Sequence, residues 1–399
     1  MARAGAAEAQ GELRVLFLNY WFEPKMASTG DLLETYYTLA RWAQAVHAEG
    51  AEVTVFQRFG RDERSVQDGV SYTLTKDIWS PRLHKWQIPW SLHRAVQSQC
   101  FQNSAARPTA VHFNGLHFPV QLWALRTVLP RRVPIVVQHH AEKPAGGLRR
   151  QLQRRCLRAA DGFFFSASEQ ASPWIGNGLI LGSQRVYQVM EGSTDFCRRP
   201  RPPARAETGI TGDPVVLWVG RLISLKDPLT VLDGFEQVLQ QAPDARLHMV
   251  YTEDDLLPEV RHRITESTSL SGAVRLWGSV PHAALESFFN SADYFVLGSH
   301  YEGSGYSLAE ALACGVVPVV TDIPSFRVLT DGGRIGACWT PGDGSAFAAA
   351  FRRVSSQPIR TLSDDAVAFF DQNLSFRAIA RRAVKAYREL AARRAIEKR

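Results

Sequence analysis

Apolar runs of strand length recur along this chain, each separated from the next by a helix-length amphipathic segment, and that alternation leaves few architectures open. RVLFLNY (residues 14–20) leads to DLLETYYTLARWAQAVHAEG (31–50), where apolar residues fall at helical spacing until Gly50 supplies a stop, and AEVTVF (51–56) follows. A strand, helix, strand unit of this length opens a parallel sheet, because parallel neighbours need a crossover that holds a helix. Further strands are expected at AVHFNG (110–115), PIVVQHH (134–140) and GFFFSAS (162–168). The pattern then restarts at PVVLWVG (214–220) and runs through ARLHMVY, AVRLWG, DYFVLGS and GVVPVVT (315–321), with helical segments such as PLTVLDGFEQVLQQ between them.

The chain has 399 residues, more than the roughly 250–300 at which one core stops growing. Two α/β domains follow. DFCRRPRPPARAETGITGDP (195–214) is dense in proline, arginine and glycine and shows no periodicity, so it reads as the linker. The expected division is a disordered tail at 1–12, a first domain at 13–194, the linker at 195–214, a second domain at 215–372 and a C-terminal helix at 373–399 that returns toward the first domain. LSFRAIARRAVKAYRELAARR (374–394) has the amphipathic pattern of one long helix. Two such lobes facing one another form a cleft, the usual place for a small-molecule site.

The 46 Lys and Arg exceed the 39 Asp and Glu, for a net charge of +7, which suits an anionic partner without choosing among nucleotide, phospholipid and nucleic acid. Much of the excess lies in RRQLQRRCLR (149–158) and in RRAVKAYRELAARRAIEKR (381–399). These stretches read as solvated helix faces or as contacts with an anionic membrane. They lack interleaved aromatics, so no specific nucleic-acid partner is expected. The five cysteines, at 100, 156, 197, 314 and 338, contain no C-x-x-C pair, arguing against a disulfide framework or a zinc site and fitting a reducing compartment. MARAGAAEAQGE lacks the apolar stretch of a secretory signal, and no window reaches the ~18 apolar residues of a membrane span. A cytoplasmic protein is expected, with any membrane contact peripheral and at the inner face of the plasma membrane.

The chemistry concentrates in EGSGYSLAEALACG (302–315). A strand ends at about His300, a helix begins at Tyr306 or Ser307, and Gly315 is placed to close that helix. Gly303 and Gly305 permit close approach of a ligand to backbone N–H groups at a helix N-terminus, a setting that attracts phosphate. Glu302 in the loop and Glu310 one turn into the helix line one pocket at different depths. A carboxylate beside a phosphate site makes sense if it accepts hydrogen bonds from neutral hydroxyls, which points to a sugar nucleotide. In GRLISLKDP (220–228), Arg221 and Lys226 follow the first strand of the same sheet. A guanidinium that chelates phosphate and an ammonium that adds compact charge form a diphosphate clamp without a metal.

Together, G-R-L-x3-K-D-P at Gly220 to Pro228, the two glutamates Glu302 and Glu310 with seven residues between them, and the following ALACGVVPVV resemble the retaining glycosyltransferase family 4. VVQHHAEKP, LRAADGFFFSASE and EGSTDFCRRP are weaker matches, and the likeness covers most of the chain. The resemblance implies the GT-B architecture, two Rossmann-like parallel-sheet domains facing across a nucleotide-sugar cleft. It also implies that Arg221 and Lys226 hold the donor diphosphate, that Glu310 takes the ribose hydroxyls, and that Glu302 with the loop amides takes the transferred sugar. Gly220, Ser304, Gly305, Tyr306 and Ser307 would line the donor, and WGSVPH (277–282), with Gly278, would border the base. His140, with His139 as its competitor, would face the sugar, and Gly30 of the first loop would approach the diphosphate.

The sequence departs from that family where MASTG offers a single glycine, where VYTEDD replaces a glycine-containing turn, and where Ser304 stands in place of an aromatic residue. The expected reaction moves a sugar from a nucleoside-diphosphate sugar to a saccharide, lipid-linked or small-molecule acceptor. The resemblance implies retention through front-face attack; no resident cofactor or metal is expected. Acceptor choice is assigned to the loops NYWFEPKMASTG (19–30) and KDIWSPRLHKWQIPW (76–90), whose aromatics can stack sugars. Alternatives are an inverting GT-B transferase, a sugar-nucleotide epimerase, and a binding protein that has lost turnover.

Overall fold

The computed structural model describes residues 13–22, 26–77, 87–101 and 107–396. The tail at 1–12, residues 23–25 of the first loop and 78–86 of the aromatic loop lie outside the described residues. The chain divides into two compact units, one of residues up to 192 together with those from 376 onward, the other of residues 193–375.

In the first unit the strands are β1 (Leu13–Asn19), β2 (Ala51–Phe59), β3 (Glu63–Gln67), β4 (Val70–Lys76), β5 (Thr109–Asn114), β6 (Ile135–Gln138), β7 (Gly162–Phe165) and β8 (Arg185–Gln188). They form one sheet in the order β3-β4-β2-β1-β5-β6-β7-β8, parallel throughout except where β3 runs antiparallel to β4. All seven residues of β1 are buried, as a strand covered by helices on both faces requires. Its one charged residue, Arg14, lies opposite Glu52 of β2 in the register and donates to it at 3.0 and 3.1 Å. The antiparallel hairpin at 63–76 and strand β8 were not visible as apolar runs, because their exposed and buried positions alternate or are mostly polar.

The second unit holds β9 (Val215–Gly220), β10 (Arg246–Tyr251), β11 (Val274–Gly278), β12 (Tyr294–Leu297), β13 (Val317–Thr321) and β14 (Ala337–Trp339). All are parallel, in the order β11-β10-β9-β12-β13-β14. The order reverses between β9 and β12, so the crossovers leave these two neighbours in opposite directions. A crevice at their carboxyl ends is where open α/β sheets bind ligands.

The expected linker at 195–214 is corrected by the structure. Arg201–Thr208 is a helix with proline in its first turn and Gly209 closing it at φ +70°. Proline is tolerated in a helix's first turn, where its missing N–H would be unpaired anyway, and eight residues are too few to show a period. Arg205 donates to Asp293 Oδ2 at 2.8 Å and to the Ser291 carbonyl at 2.9 Å, and Arg201 to the Ala292 carbonyl at 3.1 Å. Arginines that read as linker charge thus cross-link this segment to the second unit, and the division falls at 192/193.

The C-terminal boundary also moves. A helix over Ile359–Asn373 ends where Leu374 and Ser375 both donate to the Phe370 carbonyl, and a separate helix runs over Phe376–Ile396. That last helix packs within the first unit, against the helix Tyr37–Ala48 and β5. Arg377 and Arg381 reach Glu49 at 3.3 and 3.2 Å, and the buried Tyr387 hydroxyl meets His112 Nδ1 at 2.7 Å. Burial pulls the His112 pKa down to about 3, so the imidazole is neutral and its buried nitrogen needs this partner. Tyr387→Phe is expected to cost about 1–3 kcal/mol and to lower the urea midpoint; an unchanged midpoint would show that the bond contributes nothing.

Candidate active site

The loops after β9 and β12 meet because of a glycine. A Cβ at Gly298 would lie 2.7 Å from the Asp227 carbonyl oxygen and 3.2 Å from that of Lys226, so only a residue without a side chain admits this approach. Beyond it the His300 amide donates to the Leu225 carbonyl at 2.9 Å. Asp227 takes a left-handed backbone, φ +42°, which Asp tolerates better than most residues. It caps the helix Pro228–Leu239 through Thr230, and its Oδ2 lies 2.9 Å from His300 Nε2.

This junction places Lys226 against Glu302. The ammonium pairs with Glu302 Oε1, both side chains are about nine-tenths buried, and Ser299 Oγ donates to the same oxygen at 2.7 Å. Removing one partner of so buried a pair leaves a charge uncompensated, at a cost of about 3–5 kcal/mol. Arg221 extends instead toward the loop after β10, where Nη1 stands 3.3 Å from Glu253 Oε1 with both side chains about half exposed. An exposed pair of that kind is worth about 0–1 kcal/mol. The lysine is therefore held in place, whereas the arginine is cheaply redirected.

Ser304 and Gly305 are buried ahead of the helix Tyr306–Ala313, whose N-terminus carries no side-chain cap. Gly305 sits at φ +69°, and a Cβ there would lie 2.9 Å from Leu329 Cδ1 and 3.0 Å from Phe326 Cε1, so conformation and crowding both demand glycine. Tyr306 and Ser307 open the helix, and Glu310, almost wholly buried, lies one turn in. Its Oε1 is 2.8 Å from His282 Nε2. His282 in turn stacks on Phe196 at 5.0 Å between ring centres. The hydrogen bond to Glu310 raises the His282 pKa, against partial burial, and the carboxylate charge adds to the rise.

Gly220 ends β9 opposite Tyr251, and Gly278 ends β11 at φ +71° with open space where a Cβ would lie. Among the described residues, no group of three or more His, Cys, Asp or Glu is placed to hold a metal.

In the first unit the two adjacent histidines separate cleanly. His139 is buried, stacks on Phe165 at 4.6 Å and has Nε2 2.9 Å from the Glu142 carbonyl; burial lowers its pKa. It is a core residue. The His140 side chain is 36% exposed, and Nδ1 pairs with Glu191. Dense packing pulls its pKa down, but the Glu191 charge and hydrogen bond, then Glu142, outweigh this and leave it raised. Glu142 also accepts from the Leu116 amide, tying the loop after β5 to the loop after β6.

Gly30 lies in the first turn of the helix Thr29–Thr35, where the chain's own carboxylates hold the surrounding donors. Asp31 takes the Ala27 and Ser28 amides at 2.6 and 3.1 Å, and Glu63 takes the amide and hydroxyl of Thr29 at 3.1 and 2.6 Å. Among the described residues these two carboxylates take the donors flanking Gly30, and Arg61 pairs with Glu63 at 2.7 Å.

Two families account for most of the chain: the one described as Glycosyl transferases group 1 matches residues 200–367, and the one described as Glycosyl transferase 4-like domain matches residues 36–179. The chain belongs to the glycosyl transferases of group 1. It is a glycosyltransferase of GT-B type. It is 34% identical over 128 residues to a mannosylfructose-phosphate synthase of Agrobacterium fabrum, spanning 30% of this chain and 28% of that protein. It is 24% identical over 340 residues to a GDP-mannose:cellobiosyl-diphosphopolyprenol alpha-mannosyltransferase of Xanthomonas oryzae pv. oryzae, spanning 81% and 82%. Its fold is similar to that of the Anabaena protein HepE, solved in complex with UDP, with a TM-score of 0.66, 16% identity, and 94% and 100% of the two chains covered.

In this glycosyltransferase the structure adds residues that motif reasoning passed over. Glu253 belongs to the VYTEDD departure, whose acidic content was the available signal. His282 closes WGSVPH, but its contact with Glu310 depends on a fold over 28 positions. Ser299 and Gly298 carried no signal beyond standing at a strand end.

The His282–Glu310 pair gives a signed pH dependence. A histidine whose folded pKa is raised contributes stability that is complete below its ordinary value and is lost as pH rises through the folded value. Wild type and His282→Gln should therefore differ more in Tm at about pH 6 than at about pH 8.5; a gap that stays constant over that range would show that the charged pair is not formed.

Proposed function

We propose that the second unit binds a nucleoside-diphosphate sugar at the β9/β12 crevice, and that the enzyme transfers the sugar with retention and without a metal ion. The observation that carries this reading is the Gly298 junction, which sets a buried ammonium beside the carboxylate loop that precedes the helix Tyr306–Ala313. Lys226 has three N–H donors, of which Glu302 takes one, so others can meet a diphosphate oxygen. Arg221, held only by its half-exposed pair with Glu253, would exchange that partner for a bidentate phosphate contact, the stronger interaction.

In this reading Glu302, with its charge balanced by Lys226, accepts from hydroxyls of the transferred sugar. Glu310, oriented by His282, accepts from the ribose. Gly220, Ser304, Gly305, Tyr306 and Ser307 shape the donor wall, with Gly278 toward the base. His140 is assigned to the donor sugar on the family resemblance, which its carboxylate-held and partly exposed ring supports.

Cleavage of the anomeric bond leaves charge on the departing diphosphate, and fixed cationic donors at that position stabilise it by several kcal/mol. The same cations supply the charge neutralisation that a divalent ion gives elsewhere, which supports metal-independent transfer. Retention is proposed through front-face attack, with the leaving phosphate accepting the acceptor's proton.

The relatives are described with different bases: one has GDP-mannose in its name, and HepE was solved with UDP. A thermal-shift panel of UDP, GDP, ADP and their sugars decides the base, because a ligand that binds only the folded state raises stability in proportion to ln(1 + [L]/Kd). Arg221→Ala is expected to lower kcat/KM for the donor by about 10²–10³-fold with the fold intact, and EDTA is expected to leave turnover unchanged. Unaltered kinetics in Arg221→Ala would remove the clamp, and EDTA inactivation restored by a divalent ion would remove metal independence.

A further inference from the structure

The helix Gly147–Leu157 buries Gln153, Cys156 and Leu157 against the first unit and turns the rest of its surface outward. From Lys143 to Ala160 the sequence contains no Asp or Glu. Along this helix Leu148 is 85% exposed and Leu152 43%, and on the helix Ser172–Gly176 Ile175 is 52% exposed. Arg150, Arg154, Arg155 and Arg158, with Gly176 and Asn177, line a surface depression of 690 Å³. Arg150 donates to Asn177 Oδ1 at 2.8 Å, and the Arg154 guanidinium lies beside Gly178. Among the described residues none of Arg149, Arg150, Arg154, Arg155 and Arg158 is ion-paired, in contrast with arginines such as Arg205 and Arg263, which are bound to carboxylates.

A merely solvated helix face has no use for two exposed leucines among its charges, nor for Ile175 exposed on the helix Ser172–Gly176 beside the same depression. Leu148, Leu152 and Arg155 fall at i, i+4 and i+7, one side of the helix. Two leucine tips and the Arg155 guanidinium therefore share one side, and Arg155 also borders the depression lined by Arg150, Arg154 and Arg158. A nucleic acid would satisfy the arginines and leave the leucines wet. A bilayer offers anionic phosphates and acyl chains within a few ångströms of depth, and arginines reach the former while leucines enter the latter.

We propose that this face docks the protein on an anionic phospholipid bilayer, with the arginines on lipid phosphates and Leu148, Leu152 and Ile175 inserted at the interface. The proposal does not depend on which sugar or acceptor the enzyme uses, so it is tested by binding alone. The full chain is centrifuged with vesicles of phosphatidylcholine, or of phosphatidylcholine with phosphatidylglycerol, at low and high salt. The expected result is partition onto the anionic vesicles that weakens with salt. Each basic residue near such a surface adds roughly a fivefold factor, so combining Arg150→Glu, Arg154→Glu and Arg155→Glu should lower partition by more than about tenfold.

Leu148→Ser with Leu152→Ser should lower it several-fold and leave the salt dependence in place. All five side chains are exposed, so circular dichroism and Tm should match wild type; should the charge reversals disturb folding, Arg→Gln at the same three positions serves instead. Equal partition onto neutral and anionic vesicles would overturn the proposal, as would wild-type partition of the arginine variant. Loss of vesicle binding alongside retained binding to polyglutamate would assign the face to an acidic polypeptide instead.

Discussion

The absence of a side chain at Gly298 lets two loops from neighbouring strands touch, and the charged pair between Lys226 and Glu302 is built on that contact. Neither charge could be buried alone, since an uncompensated ion in such a place costs several kcal/mol. Paired, they hold an ammonium at the carboxyl edge of the sheet with donors to spare. The strand order supplies the rest of the setting: β9 and β12 are the neighbours at which the crossovers change direction, so no connection covers the crevice between their ends.

Around this fixed point the other groups differ in how firmly they are held. Glu310 is buried and fixed by His282, whereas Arg221 rests on an exposed pair with Glu253 worth little. In the proposed donor site that difference divides the work between rigid acceptors for neutral hydroxyls and a redirectable cation for phosphate. The first unit shows the same logic at His140, where Glu191 and Glu142 outweigh the pull of burial, while one residue away His139 has been absorbed into the core.

The parallel sheets were legible because buried strands such as β1, β9 and β13 read as mostly apolar runs. The positions of Arg221, Lys226 and Glu302 in loops after strands, and of Glu310 one turn into the following helix, followed from the same reading. Strands whose burial alternates, such as β3, left no such run, and the helix Arg201–Thr208 was hidden in a proline-rich segment that composition alone assigns to a linker. Gly30 read as a candidate donor contact, but Asp31 and Glu63, one of them 33 positions away in the chain, hold the donors around it.

By itself the sequence determined two parallel α/β lobes and the set of residues at the edge of the second sheet, because hydrophobic periodicity and turn residues are local properties. Only the tertiary structure decided the pairings: Lys226 with Glu302 rather than with the adjacent Asp227, Arg221 with Glu253, Glu310 with His282, and His140 rather than His139 with Glu191. Such partners lie 28 to 76 positions apart where hydrogen bonds join them. Their choice depends on strand order and on how closely two backbones can approach, which no local pattern encodes.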